Sequence, residues 1–89
     1  MKDSYLEVTF RHGRAMAAYY YLPRLPRQRS YRTEEVATGI LVDYSRGGKA
    51  IGIEITAPRT VSLSKMNQVL RSLGQPELKR GELAPLRAA

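Results

Sequence analysis

The sequence predicts an α+β domain: an antiparallel β-meander of four to five strands with one C-terminal amphipathic helix packed on one face. Three observations predict it. Leu6, Val8 and Phe10 alternate with Glu7, Thr9 and Arg11, the period of a half-buried strand. The apolar runs Ile40–Tyr44 and Ala50–Ile55 flank a Gly47-Gly48 pair, the pattern of a hairpin. Leu63, Met66, Val69, Leu70 and Leu73 recur at spacings of three and four, one stripe of a helix.

The 89 residues make a single small domain. The first hairpin spans 5–22, with His12-Gly13 as its turn. In its second strand Met16, Ala18, Tyr20 and Leu22 should share one face, and Ala15, Ala17, Tyr19 and Tyr21 the other. Pro23 and Pro26 open a Pro/Arg loop over 23–32, because each removes an amide donor. Tyr31 to Val36 reads as a short third strand or an extended lead-in.

The second hairpin spans 40–56. Ile40, Val42 and Tyr44 should share a face, as should Ile51, Ile53 and Ile55. The two rows meet only if the loop preserves side-chain parity. A two-residue type I′ turn at Gly47-Gly48 does so, and so does a four-residue loop from Ser45 to Gly48. A three-residue loop needs a bulge to restore the phase. Pro58 ends the sheet. A helix over 62–73 follows, capped by Thr60 or Ser62 and closed by Gly74 and Pro76. A tail covers 75–89. Within it Glu77 to Leu83 has room for one more helical turn, and Leu83, Pro85 and Leu86 either dock or fray.

Composition excludes several chemistries. The chain has no Cys, so it has no disulfide and no thiolate nucleophile or ligand. Small secreted domains usually need such staples, which points to a cytoplasmic protein. Met1-Lys2-Asp3-Ser4 leads into a charged strand, not the apolar run of a signal peptide. The uncharged stretch Ala15 to Leu22 is too short to span a bilayer, so no membrane partner is expected. Net charge is +7, and its placement is uneven: no acid falls between Val8 and Thr33. That interval holds Arg11, Arg14, Arg24, Arg27, Arg29 and Arg32, the candidate contacts for a polyanion. The plain alternative is that these arginines only solvate a small protein.

Glu34-Glu35-Val36, Gly39-Ile40, Val42-Asp43-Tyr44, Gly48 and Ile51-Gly52-Ile53-Glu54-Ile55 together resemble the uncharacterised prokaryotic family called domain of unknown function 2283, mainly over 31–56. The first hairpin departs from it. Members carry an acidic Tyr-Asp pattern around the first turn, where this chain has Phe10-Arg11-His12-Gly13-Arg14. Any role of those carboxylates, metal binding included, does not carry over. The later turn is acidic in the family and basic here, at Arg46 and Lys49. The Pro/Arg loop and the helix look like additions. The resemblance implies an interaction role of an antitoxin-like kind, by analogy alone.

No catalytic, cofactor or metal residue is assigned. Asp43 and Glu54 should lie opposite the isoleucine rows on adjacent strands, where a solvated sheet face explains them better than a shared cation. His12 stands between arginines, and six serines from Ser4 to Ser72 have no evident base. Tyr19, Tyr20 and Tyr21 are interface candidates, with Tyr20 pointing away from the other two. The chain is therefore expected to be a non-enzymatic protein-binding module that needs no cofactor, and a homo-oligomer with a dimer as first guess. The alternative is a weak, sequence-tolerant RNA or DNA binder using the arginine cluster.

Overall fold

A computed structural model describes residues 3–87; Met1, Lys2 and the last two residues of the 75–89 tail lie outside the described residues. Five strands form one antiparallel sheet: β1 (Tyr5–Arg11), β2 (Arg14–Tyr21), β3 (Arg32–Ala37), β4 (Ile40–Tyr44) and β5 (Ala50–Ile55). Their spatial order is β1-β2-β5-β4-β3. The simple meander is thus corrected. β3, β4 and β5 meander, but the β1–β2 hairpin docks on β5, not on β3. The chain leaves β2 and must pass the ends of β5 and β4 to reach β3, a span of roughly 14 Å at about 4.8 Å per strand. Residues 22–31 make that crossing.

The register sorts the side chains into rows that cross all five strands. Leu6, Tyr20, Ile53, Val42 and Glu34 form one row; Val8, Ala18, Ile55, Ile40 and Ala37 form the next. Ile40, Val42, Ile53 and Ile55 are wholly buried. They join one hydrophobic cluster with Val61, Met66, Val69, Leu70, Leu78, Leu83 and Leu86 from the C-terminal third. Burial of this apolar area is the main stabilising term.

Two bulges correct the predicted faces. The β1–β2 register shifts between Thr9 and Phe10, so Met16 has no partner. Ala15 is buried while Met16 is half exposed, the reverse of strict alternation. The β4–β5 turn is neither of the two parity-preserving loops. Ser45 N–H donates to Lys49 O at 2.8 Å, Gly48 N–H donates to Ser45 O at 2.9 Å, and only Gly48 of the pair has positive φ, at 89°. This is the three-residue loop, and the bulge at Ile51 restores its phase. Ala50 pairs with Tyr44 and packs against the core cluster in the place expected of Ile51, which is fully buried outside that cluster.

The single C-terminal helix is also corrected, to several short ones: a 3₁₀ turn Pro58–Thr60, helix α1 (Leu63–Ser72), helix α2 (Arg80–Leu83) and a 3₁₀ turn Ala84–Arg87. The Ser62 hydroxyl caps α1 by accepting Lys65 N–H at 3.0 Å. Gly74 closes it at φ 70°, with Gly74 N–H donating to Arg71 O and Gln75 N–H to Leu70 O, a Schellman motif. The tail docks. Buried Asn67 accepts Leu78 N–H at 2.7 Å and donates to Leu78 O at 3.0 Å. That clasp lets Leu78, Leu83 and Leu86 reach the core. Among the described residues, no helix is long and apolar enough to cross a membrane.

Candidate functional site

The sheet's second face carries no covering element among the described residues; its side chains are half-buried or exposed. Register again defines it. One row reads Tyr5, Tyr21, Gly52, Asp43, Thr33; the next reads Glu7, Tyr19, Glu54, Leu41, Glu35. Four carboxylates, three tyrosines and a leucine therefore share one surface of a protein whose net charge is +7.

Its centre is an ordered network. The Tyr19 hydroxyl donates to Asp43 Oδ2 at 2.7 Å. Ser30 donates to Asp43 Oδ1 at 3.1 Å, and Thr33 donates to the same oxygen. Three hydroxyls thus converge on one carboxylate. Burial pushes the Tyr19 phenol well above its ordinary value, and the bonded Asp43 charge pushes it further. Tyr19 reaches Asp43 by crossing Gly52. A methyl group there would come within 1.9 Å of the Tyr19 hydroxyl, so only glycine admits the ring.

The aromatic side of the face is equally tied down. The Tyr5 and Tyr21 rings stack with centroids 4.4 Å apart, and Tyr19 meets Tyr21 edge-on at 4.6 Å. Tyr21 donates to Glu7 Oε1 at 3.3 Å. Burial and the Glu7 charge raise its phenol too. The Arg24 guanidinium lies 5.1 Å from the Tyr21 ring centroid.

A second surface lies at the end of the sheet. The crossing loop and the β4–β5 turn both reach that end, and there they enclose a cleft of about 500 Å³. Arg27, Arg29, Arg46 and Lys49 line it beside Tyr31, with no acidic residue among the lining.

The six predicted polyanion contacts do not form one surface. Arg11 and Arg14 flank the His12-Gly13 turn at the opposite end of β2, roughly 25 Å away at about 3.3 Å per residue. Arg24 sits over Tyr21. Arg32 pairs with Glu34 and lies 4.4 Å over the Tyr44 ring. Only Arg27 and Arg29 reach the cleft. Of the interface candidates, Tyr19 and Tyr21 lie on the open face, whereas Tyr20 points into the core and is buried there. Alternation along β2 separates it from its neighbours, so it presents no surface to a partner.

Residue-by-residue reading missed Gly52, Ser30 and Thr33. A glycine inside an apolar strand was the available signal for Gly52. For the two hydroxyls there was none, because the sequence does not state that 30, 33 and 43 meet.

Residues 17–57 match the family model described as "Protein of unknown function (DUF2283)". The matched segment takes in most of β2 and all of β3, β4 and β5, so it holds Tyr19, Tyr21, Asp43, Gly52 and Glu54. It leaves out β1 and the helical third, but it takes in the Pro/Arg loop over 23–32, which the sequence reading set down as an addition along with the helix. No curated protein and no solved structure matches the chain.

Proposed function

We propose that this chain is a non-enzymatic protein-binding module whose open sheet face docks a basic surface on its partner. The observation that carries this is the cross-strand row Glu7, Tyr19, Glu54, Leu41, Glu35, flanked by Tyr5, Tyr21 and Asp43. Tyrosine suits interfaces because it buries a large rigid ring at low entropy cost and keeps a polar tip. The rings here are already fixed by stacking and by Asp43, so little ordering remains to be done on binding. The surrounding carboxylates favour a cationic partner and speed encounter with it.

A neutralising, antitoxin-like role is the concrete form, in which this face covers a basic working surface of a small protein. A chain without cysteine suits the cytoplasm for such a task. Self-pairing through the same face is disfavoured, because a two-fold axis would set Glu7, Glu35, Asp43 and Glu54 against their own copies. A homodimer would instead use the outer edge of β1. There Phe10 is exposed, whereas Arg32, Glu34 and Glu35 blunt the β3 edge.

Affinity capture of the full chain from its native lysate, with and without nuclease, tests the reading. We expect a stoichiometric protein partner that ignores nuclease and is lost on Glu7→Lys with Glu54→Lys. Retention of that partner by the double variant, or its loss on nuclease treatment, would overturn the docking face.

A further inference from the structure

We infer that the cleft between the crossing loop and the β4–β5 turn binds the backbone of a single-stranded nucleic acid, with Tyr31 stacking an unpaired base. The inference is independent of the docking face, which lies on the sheet surface and not at its end.

Because β2 is next to β5, the crossing loop must traverse the sheet end where the β4–β5 turn also emerges. Tyr31 N–H donates to Tyr44 O at 2.8 Å, which anchors one wall. Buried Ser45 anchors the other: its backbone bonds Lys49 O and Gly48 N–H, and its hydroxyl accepts Lys49 N–H at 3.3 Å. Two ordered loops therefore hold Arg27, Arg29, Arg46 and Lys49 around one opening.

Electrostatics follow. None of these four cations makes an ion pair among the described residues, although the chain does pair Arg32 with Glu34 and Arg71 with Glu77. Like charges gathered without a direct ionic partner repel one another, and an anion seated among them relieves that repulsion. Four separate cations spread along two loops suit successive phosphates better than one small anion, which needs a tight cage.

Tyr31 supplies the second element. It is 63 % exposed on the cleft wall, and Arg46 lies 4.9 Å from its ring centroid. An exposed ring with a cation against it can accept a base on its remaining surface. A duplex keeps its base faces stacked inside, so the aromatic selects an unpaired strand. No side chain here is built into a bidentate pattern for base edges, so the binding is sequence-tolerant.

Fluorescence anisotropy of a labelled oligouridylate with the full chain tests this. We expect affinity to fall with salt at a log–log slope of about −0.7 per contacted phosphate. Replacing Arg27, Arg29, Arg46 and Lys49 together by Gln should weaken binding by roughly tenfold or more and flatten that slope. Arg11→Gln with Arg14→Gln, at the far end of the sheet, should change it less than about twofold. Tyr31→Ala should cost roughly five- to tenfold on oligouridylate and nothing on inorganic polyphosphate. All these positions are exposed, and a thermal melt verifies folding. Equal binding by the four-site variant would overturn the cleft. A silent Tyr31→Ala, with polyphosphate bound as tightly as oligouridylate, would overturn the nucleic-acid assignment.

Discussion

The open sheet face and the end cleft carry opposite charge, and they are built in opposite ways. On the face, the charged and aromatic groups sit on strands, their positions fixed by register, and the central polar atoms are engaged: Asp43 with three hydroxyls, Tyr21 with Glu7. In the cleft, the cations sit on loops and have no anionic partner among the described residues. The two surfaces therefore relate differently to the stability of the fold. The face is part of the folded state's own stability, so changing it loosens the protein. The cleft's cations add little to stability beyond the contact of Arg46 with Tyr31, and their charges are free to respond to a ligand.

Substitutions can break that contrast. The largest effect should come from Asp43→Ala, which strips the acceptor from Tyr19, Ser30 and Thr33. We expect a loss of about 2 kcal/mol in urea unfolding, since bonds to a charged acceptor are stronger than neutral ones but these are partly solvated. Gly52→Ala comes next. The added methyl drives the Tyr19 ring off Asp43, and the small propensity gain from replacing glycine offsets part of the damage. A loss of about 1–2 kcal/mol by thermal or urea unfolding is expected, with broadened tyrosine ring signals by NMR.

A subtler effect separates the surfaces by pH. The folded Tyr19 phenol is raised above its ordinary value of 10.0, so the unfolded chain ionises first. Its contribution is fully present below pH 10 and is lost as pH rises above that point. Tyr19→Phe should therefore show a shallower loss of stability above pH 10 than the parent, by urea titration at stepped pH. The smallest effect belongs to the cleft. Arg46→Gln with Lys49→Gln should leave Tm within about 2 °C of the parent, or raise it slightly at low salt, because like charges are removed. A clear drop would mean that the cleft is structural, and the contrast would fail.

Much of the fold was legible. Ser62 and Gly74 marked the ends of α1 through local capping chemistry, and the aliphatic rows of β4 and β5 announced a buried face through period two. These signals are short-range, so the sequence states them directly. What was not legible is long-range. Nothing in residues 14–21 says that they pair with 52–55 and not with β3, and that choice creates both the crossing loop and the cleft. The bulge at Met16 was hidden, and the one at Ile51 visible only as a condition on the loop length, for a related reason: alternation is read from one strand, whereas a bulge is a property of two. Counting arginines along the chain grouped Arg11 with Arg29, but folding sends one to each end of the sheet and brings Arg46 and Lys49 in from elsewhere. The Asn67 clasp on Leu78 left no mark, because a buried amide looks like any other asparagine until its partner is known.

The separation of two binding surfaces on one small sheet is tested most directly by backbone NMR of the labelled full chain titrated with oligouridylate. We expect shifts concentrated at the amides of 27–31 and 45–49, with those of Tyr19, Gly52 and Glu54 unmoved. Shifts centred on Tyr19, Gly52 and Glu54, with the two loops silent, would contradict it.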